Sequence, residues 1–116
     1  MHEVALSRQL ARLVSRNAAG SEVLEFELEV GHLRQVVPEA LYFAWGAVRK
    51  TTLRGPARLN ITEIPAVVSC RECKASTELR EVLDFRCQEC SSRDLQIISG
   101  EEFRVVSIEV SPERKQ

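Results

Sequence analysis

Two Cys-x-x-Cys pairs, Cys70/Cys73 and Cys87/Cys90, limit what this chain can fold into more than any other feature. A tetrahedral zinc site takes four thiolates at about 2.3 Å, and Cys-x-x-Cys lets one tight turn offer two sulfurs to the same ion. Two such turns close the shell. The connector 74–86 is slightly shorter than the usual ribbon spacing, yet it has room for a strand, a turn and a strand. A closed shell leaves no position for water, so the spacing points to structural rather than catalytic zinc. A thiol-redox pair or an iron–sulfur cluster draws on the same residue type, but the doubled pairing favours zinc on all four cysteines. Zinc knuckles often place glycine after the second cysteine. Lys74 and Ser91 stand there instead, which predicts less regular knuckles.

The cysteines also bear on the compartment. Met1-His2-Glu3-Val4 lacks the basic segment, apolar stretch and cleavage site of a secretory signal, so a cytoplasmic location is expected. In a reducing compartment four cysteines indicate metal before disulfide. The longest apolar runs are short pieces such as Ala66-Val67-Val68, far below the roughly 20 residues that span a bilayer, so no membrane span is expected. At 116 residues a large self-contained enzyme core is excluded.

On either side of the cysteines the hydrophobic pattern changes period. Leu6, Leu10, Leu13 and Val14 form an apolar stripe with Arg8, Gln9, Arg12 and Arg16 between them, which predicts an amphipathic helix ended near Gly20. Leu24, Phe26, Leu28 and Val30 alternate with Glu25, Glu27 and Glu29, the period of a half-buried strand with an acidic outer face. Pro38-Glu39 opens a second helix, with Leu41, Ala44, Trp45 and Val48 on its buried side. After the turn signal Gly55-Pro56, Ala57, Leu59 and Ile61 mark a second strand, and Phe103 to Val110 forms a last one. That last strand has too little to pack against alone, whereas a third strand completes a sheet with the first two. The expected fold is therefore α+β: two helices packed on a three-stranded sheet, with a zinc-ribbon module inserted before the last strand. The expected domains are 1–65 with 101–116, and the ribbon at 66–100.

Charge narrows the partners. The formal net charge is −1, without the basic excess that tracks a phosphate backbone. Within the ribbon Arg71, Lys74, Arg80, Arg86 and Arg93 are outnumbered by Glu72, Glu78, Glu81, Asp84, Glu89 and Asp94, and four thiolates on one zinc add further negative charge. Phe85 is its single aromatic. No nucleic-acid partner is expected.

The amino terminus carries the second constellation. A free α-amine on Met1, the next amide nitrogen and the His2 imidazole form fused chelate rings around one metal, and nitrogen-rich planar coordination suits Ni(II) or Cu(II). Glu3 offers a backbone nitrogen or a carboxylate as a further donor. Taken alone, a histidine at this position is most often an ordinary solvated end residue. His32, just past Gly31, reads as a surface histidine or an auxiliary ligand, and the Glu25, Glu27, Glu29 row as a solvated sheet face.

Taken together, Met1-His2-Glu3, Glu29-Val-Gly-His-Leu33, Val37-Pro-Glu-Ala-Leu41, Phe43-Ala-Trp45, the cysteine pairs and 100–110 resemble the HypA/HybF family of nickel-insertion accessories for [NiFe]-hydrogenase maturation. The resemblance runs along nearly the whole chain. It implies a non-enzymatic metallochaperone that holds Ni(II) through Met1, His2 and Glu3, with structural Zn(II) on Cys70, Cys73, Cys87 and Cys90. It also implies a HypB-type GTPase and the hydrogenase large subunit as partners, urease accessory proteins in some members, and a monomer or homodimer. Some relatives carry histidines near the cysteines, and this chain has none. Two other classes compete: a zinc-ribbon adaptor of transcription or translation, which predicts salt-sensitive RNA binding, and a thiol oxidoreductase, which predicts a metal-free chain.

Overall fold

The computed structural model describes residues 2–79 and 84–112. The elements run α1 (Glu3–Ala18), β1 (Val23–Gly31), a 3₁₀ turn (His32–Arg34), α2 (Pro38–Thr52), β2 (Arg58–Ile64), β3 (Ala66–Cys70), β4 (Ser76–Leu79), β5 (Leu95–Ser99) and β6 (Phe103–Val110). They build two three-stranded sheets, ordered β2-β1-β6 and β4-β3-β5. The fold is α+β, and the second sheet lies in the chain between the last two strands of the first. Two compact units result. One holds the chain up to Leu28, Val36–Thr62 and the chain from Arg104; the other holds Glu29–Gln35 and Glu63–Phe103.

In the helical unit, β1 supplies the centre of the core. Phe26, Leu28 and Val30 are buried, as the period-two pattern predicts, whereas at the start of the strand Val23 is buried out of that phase and Leu24 only half-buried. Phe26 meets Trp45 of α2 edge-on, with ring centroids 5.2 Å apart. The Trp45 indole N–H donates to the Ala57 carbonyl at 2.7 Å, so the largest side chain of α2 is buried with its polar atom satisfied. Leu10, Leu28, Leu41 and Phe26 are each buried almost completely, which at about 1.5–3 kcal/mol per side chain is the main driving force for this unit.

The face of α1 differs from the expected stripe. Glu3, Ser7, Leu10, Ala11, Val14 and Ala18 are buried, while Leu6 and Leu13 are only half-buried. Helix α1 packs along α2, and a close helix pair is best served by small side chains on the contact line, with leucines flanking it. Ala11 stands between the two helices, and Ser7 is a second small residue on the buried face of α1. The Ser7 hydroxyl is fully buried without a hydrogen-bond partner among the described residues. The helix ends where expected: Ala19 and Gly20 are both left-handed, at φ 53° and 87°, and the Ala19 N–H donates to the Ser15 carbonyl. On α2 Leu41, Ala44 and Trp45 are buried and Val48 only partly so.

In the cysteine unit β3 is the central strand, antiparallel to both β4 and β5. Ala66, Val68 and Leu79 form its small core, and Leu33 and Leu95 pack against it. Leu33 belongs to the 3₁₀ turn, so a segment distant in sequence braces the ribbon. Backbone bonds tie it there: the Gly31 N–H donates to Glu102 O at 2.7 Å and the Leu33 N–H to Gly100 O at 2.8 Å. Gly31 and Gly100 cross so closely that a Cβ on Gly31 would overlap the Gly100 carbonyl. Arg34 adds a bond from Nε to Glu101 O and lies over the Phe103 ring. At the base of the insertion, the Ser99 hydroxyl donates to the Pro65 carbonyl at 2.8 Å.

Candidate metal centres

The two Cys-x-x-Cys segments fold into a matched pair of turns. Cys70 ends β3. Its N–H donates to Ala75 O, the Lys74 N–H returns to Cys70 O at 3.0 Å, and the Cys73 N–H points at the Cys70 sulfur at 3.4 Å. The second turn repeats the two backbone bonds, and its sulfur accepts from the residue two positions on instead of three. The Cys87 N–H donates to Ser92 O, the Ser91 N–H to Cys87 O at 2.8 Å, and the Glu89 N–H to the Cys87 sulfur at 3.3 Å. Both turns close through a left-handed residue at the position where glycine is usual: Lys74 at φ 69° and Ser91 at φ 64°. The expectation of irregular knuckles is therefore corrected. The backbone takes the regular shape, and the cost of a left-handed side-chain residue, about 1–2 kcal/mol each, is borne locally.

All four sulfurs lie within 4.8 Å of one another. Cys70 Sγ is 3.7 Å from Cys90 Sγ, and Cys73 Sγ is 3.5 Å from Cys87 Sγ. Four ligands at about 2.3 Å around a tetrahedral ion stand about 3.8 Å apart, so the spacing fits one zinc ion. The pairs are far longer than the roughly 2.05 Å of a disulfide. Cys70 and Cys87 are buried, Cys73 and Cys90 exposed.

Electrostatics shows why the group needs a cation. The backbone N–H of Cys73, helped by that of Glu72, stabilises the Cys70 thiolate against burial and brings its pKa down to about 6. Once one thiolate forms, its neighbours resist a second. At Cys90 the Ser92 N–H favours ionisation, yet desolvation and the adjacent thiols prevail and push the thiol up to about 12. Cys73 also rises: the Ala75 N–H lowers it, but Cys87 and desolvation outweigh that bond. Four thiolates in this space require a divalent ion at their centre. A divalent ion such as zinc would supply that charge and lock the two turns together. Outside the cluster, Arg71 Nε lies 3.6 Å from Asp94 and the Arg71 N–H donates to Asp94 O, so the two turns are joined beyond the sulfurs as well.

At the other end of the chain, Met1 lies outside the described residues. His2 is exposed at the first turn of α1. Its carbonyl accepts the Leu6 N–H at 2.9 Å, and its side chain makes no capping bond. Glu3 turns inward and is 8% exposed, its Oε2 accepting the Val37 N–H at 3.4 Å where α2 begins. The positive charge of the amino end, with that amide, draws the carboxyl down to about 2. This second role, joining the starts of two helices, has no signal in the local sequence. His32 is exposed and 3.4 Å from Glu63, a surface pair. Among the described residues the four cysteines are the one group of histidine, cysteine and acidic side chains close enough to hold a metal together.

A family model described as hydrogenase/urease nickel incorporation, metallochaperone, hypA matches residues 1–110. The chain belongs to the HypA family. Among its relatives is a hydrogenase maturation factor HypA of Desulfatibacillum aliphaticivorans, 40% identical over 115 residues, covering 96% of this chain and 88% of that protein. Another, of Geotalea uraniireducens, is 36% identical over 110 residues, covering 95% of this chain and 99% of that protein. The solution structure of the Ni metallochaperone HypA from Helicobacter pylori superposes with a TM-score of 0.67 at 20% identity, covering 97% of this chain and all of that one. At that identity the likeness is one of fold, and it spans both HypA units.

Proposed function

We propose that this HypA-family chain carries Ni(II) at its amino terminus and delivers it for [NiFe]-hydrogenase maturation, while Zn(II) on Cys70, Cys73, Cys87 and Cys90 fixes the ribbon. The observation that carries the nickel half is His2: exposed, at the very start of α1, and not consumed as a helix cap. The Met1 amine, the His2 amide nitrogen and the His2 imidazole then make two fused chelate rings, with the Glu3 backbone nitrogen or carboxylate as a further donor. A terminal chelate opens without unfolding anything, which suits a cargo that must be passed on. The chain acts as a cytoplasmic, non-enzymatic carrier. A HypB-type GTPase and the hydrogenase large subunit are the partners that accord with this role, and urease accessory proteins are a further destination.

Calorimetric titration of the untagged, zinc-loaded His2→Ala variant with Ni(II) tests the reading. Nickel binding should vanish, with zinc stoichiometry and melting temperature unchanged; an unaltered nickel affinity overturns it. Extending the amino terminus by a few residues should abolish binding in the same way, because the primary amine is lost, while an extension at the carboxyl terminus should leave it intact.

A further inference from the structure

Along the helical unit, α1 and α2 leave between them an open groove of about 1060 Å³, running from Glu3 and Val4 to Arg16 on one side and from Ala40 to Thr52 on the other. Its lining is built from small residues, Ala11, Ser15, Ala40, Ala44 and Ala47. Small side chains allow a third helix to approach both neighbours at the 8–10 Å typical of helix packing. From Val4 to Arg16 the groove is about 18 Å long, at a rise of about 1.5 Å per residue, or roughly three turns of a bound helix.

The two walls differ in chemistry. Phe43 stands on the α2 wall, 84% exposed, and Val48 lines the same wall. The α1 wall carries Arg8, Arg12 and Arg16 at successive helical turns, all exposed and without an ion-pair partner among the described residues. Against these three guanidiniums the lining has one carboxylate, Glu3, and it is already engaged by the Val37 amide.

We propose that this groove docks an amphipathic helix of a partner protein, with apolar side chains packed on Phe43 and acidic residues facing Arg8, Arg12 and Arg16. An apolar wall opposite a basic one is what a helix with an acidic flank complements, through anchors at i, i+3, i+4 and i+7. A membrane surface instead meets a convex amphipathic face laid flat on it. A phosphate backbone gains nothing from the Phe43, Ala47 and Val48 stretch of the α2 wall and meets no basic side chain in the α2 part of the lining. Because Glu3 lines the head of the groove, the docked helix ends beside the first turn of α1. The surface stands on its own geometry, whether or not the terminus binds nickel.

The test uses the zinc-loaded, ¹⁵N-labelled full chain without nickel. It is titrated with a helix-forming peptide carrying leucines at i, i+3, i+4 and i+7 and glutamates along one flank, and with the same peptide carrying lysines instead. The acidic peptide should shift amides of α1 and α2 alone and bind at least about 10-fold tighter than the lysine peptide. Phe43→Ala should weaken it about 10-fold, as loss of an aromatic anchor does. The double variant Arg8→Glu/Arg12→Glu should reverse the preference between the two peptides. All three positions are exposed, and unchanged melting temperatures will show that the variants fold. Equal affinity for both peptides overturns the proposal, as does no binding of the acidic peptide up to roughly millimolar concentration. So do shifts outside the two helices, a preference for anionic phospholipid vesicles over the acidic peptide, or self-association of the chain that Phe43→Ala abolishes.

Discussion

In the cysteine unit each donor is carried by a turn whose own backbone is closed by hydrogen bonds, with Lys74 bonded to Cys70 and Ser91 to Cys87. At the amino terminus the imidazole of His2 hangs in solvent, and only Glu3 behind it is anchored, on the Val37 amide. One centre has all its donors on backbone turns of the fold, which the ion and the turns' own hydrogen bonds hold together. The other, in the proposed role, is organised by the ion itself. The contrast separates a metal that must not exchange from one that must. Thiolates on a rigid frame serve the first, and nitrogen donors on a free end serve the second.

The sharpest way to break the comparison is Cys73→Ser. Structural zinc binding is folding free energy, roughly 10–16 kcal/mol in small zinc domains, so this change should eliminate zinc and melt the cysteine unit. Zinc content per chain and amide dispersion of Val67–Ser69 read the outcome, and the tertiary signal of Trp45 should persist. Gly31→Ala comes next. Its Cβ meets the Gly100 carbonyl, a backbone atom with no rotamer to yield, and a loss of about 2–3 kcal/mol is expected in denaturant unfolding. Retained stability would show that the crossing gives way.

Ser7→Ala should act in the opposite direction. It removes a buried hydroxyl without a partner and should stabilise the helical unit by about 1 kcal/mol in the same assay. Glu3→Gln sharpens the terminus through pH. A carboxyl whose folded pKa is about 2 against an ordinary 4.5 contributes stability that is present above 4.5 and lost as pH falls toward 2. The variant should melt below the wild type at pH 6, and the gap should close by pH 2. The smallest effect is expected for Lys74→Gly or Ser91→Gly, each relieving a left-handed side-chain residue. Zinc should be kept, and stability should rise by under about 1 kcal/mol, since glycine also loosens the unfolded chain.

Much of this architecture is legible in the residues because it rests on local pattern. The alternation in β1, Pro38 at the start of α2 and the two Cys-x-x-Cys turns each express a preference within one element, and Phe103–Val110 forms a strand over the span its pattern marks. What escaped depends on contacts between elements. Ser7 and Ala11 look like gaps in an apolar stripe until the helix is packed and both are buried. Leu33 looks like loop until it packs on the small core of Ala66, Val68 and Leu79. Glu3 looks like a metal donor alone until Val37 is found on its carboxylate. At Lys74 and Ser91 local preference misleads, because the two bonds that close each turn impose a conformation the side chain resists.

The clasp between Ser99 and Pro65 has a consequence for how such a chain can change over time. The two ends of the inserted segment are side by side, so the distance that must be bridged there is the same whatever length of chain lies between. Closing a longer or shorter excursion adds only a slowly varying entropy term, and segments with adjacent ends tolerate replacement best. The part of the ribbon beyond the core that Leu33 braces can therefore be enlarged, trimmed or exchanged for another metal-binding loop while the sequence before Pro65 and after Ser99 stays as it is. Metal-site chemistry and helical scaffold are free to vary on separate schedules.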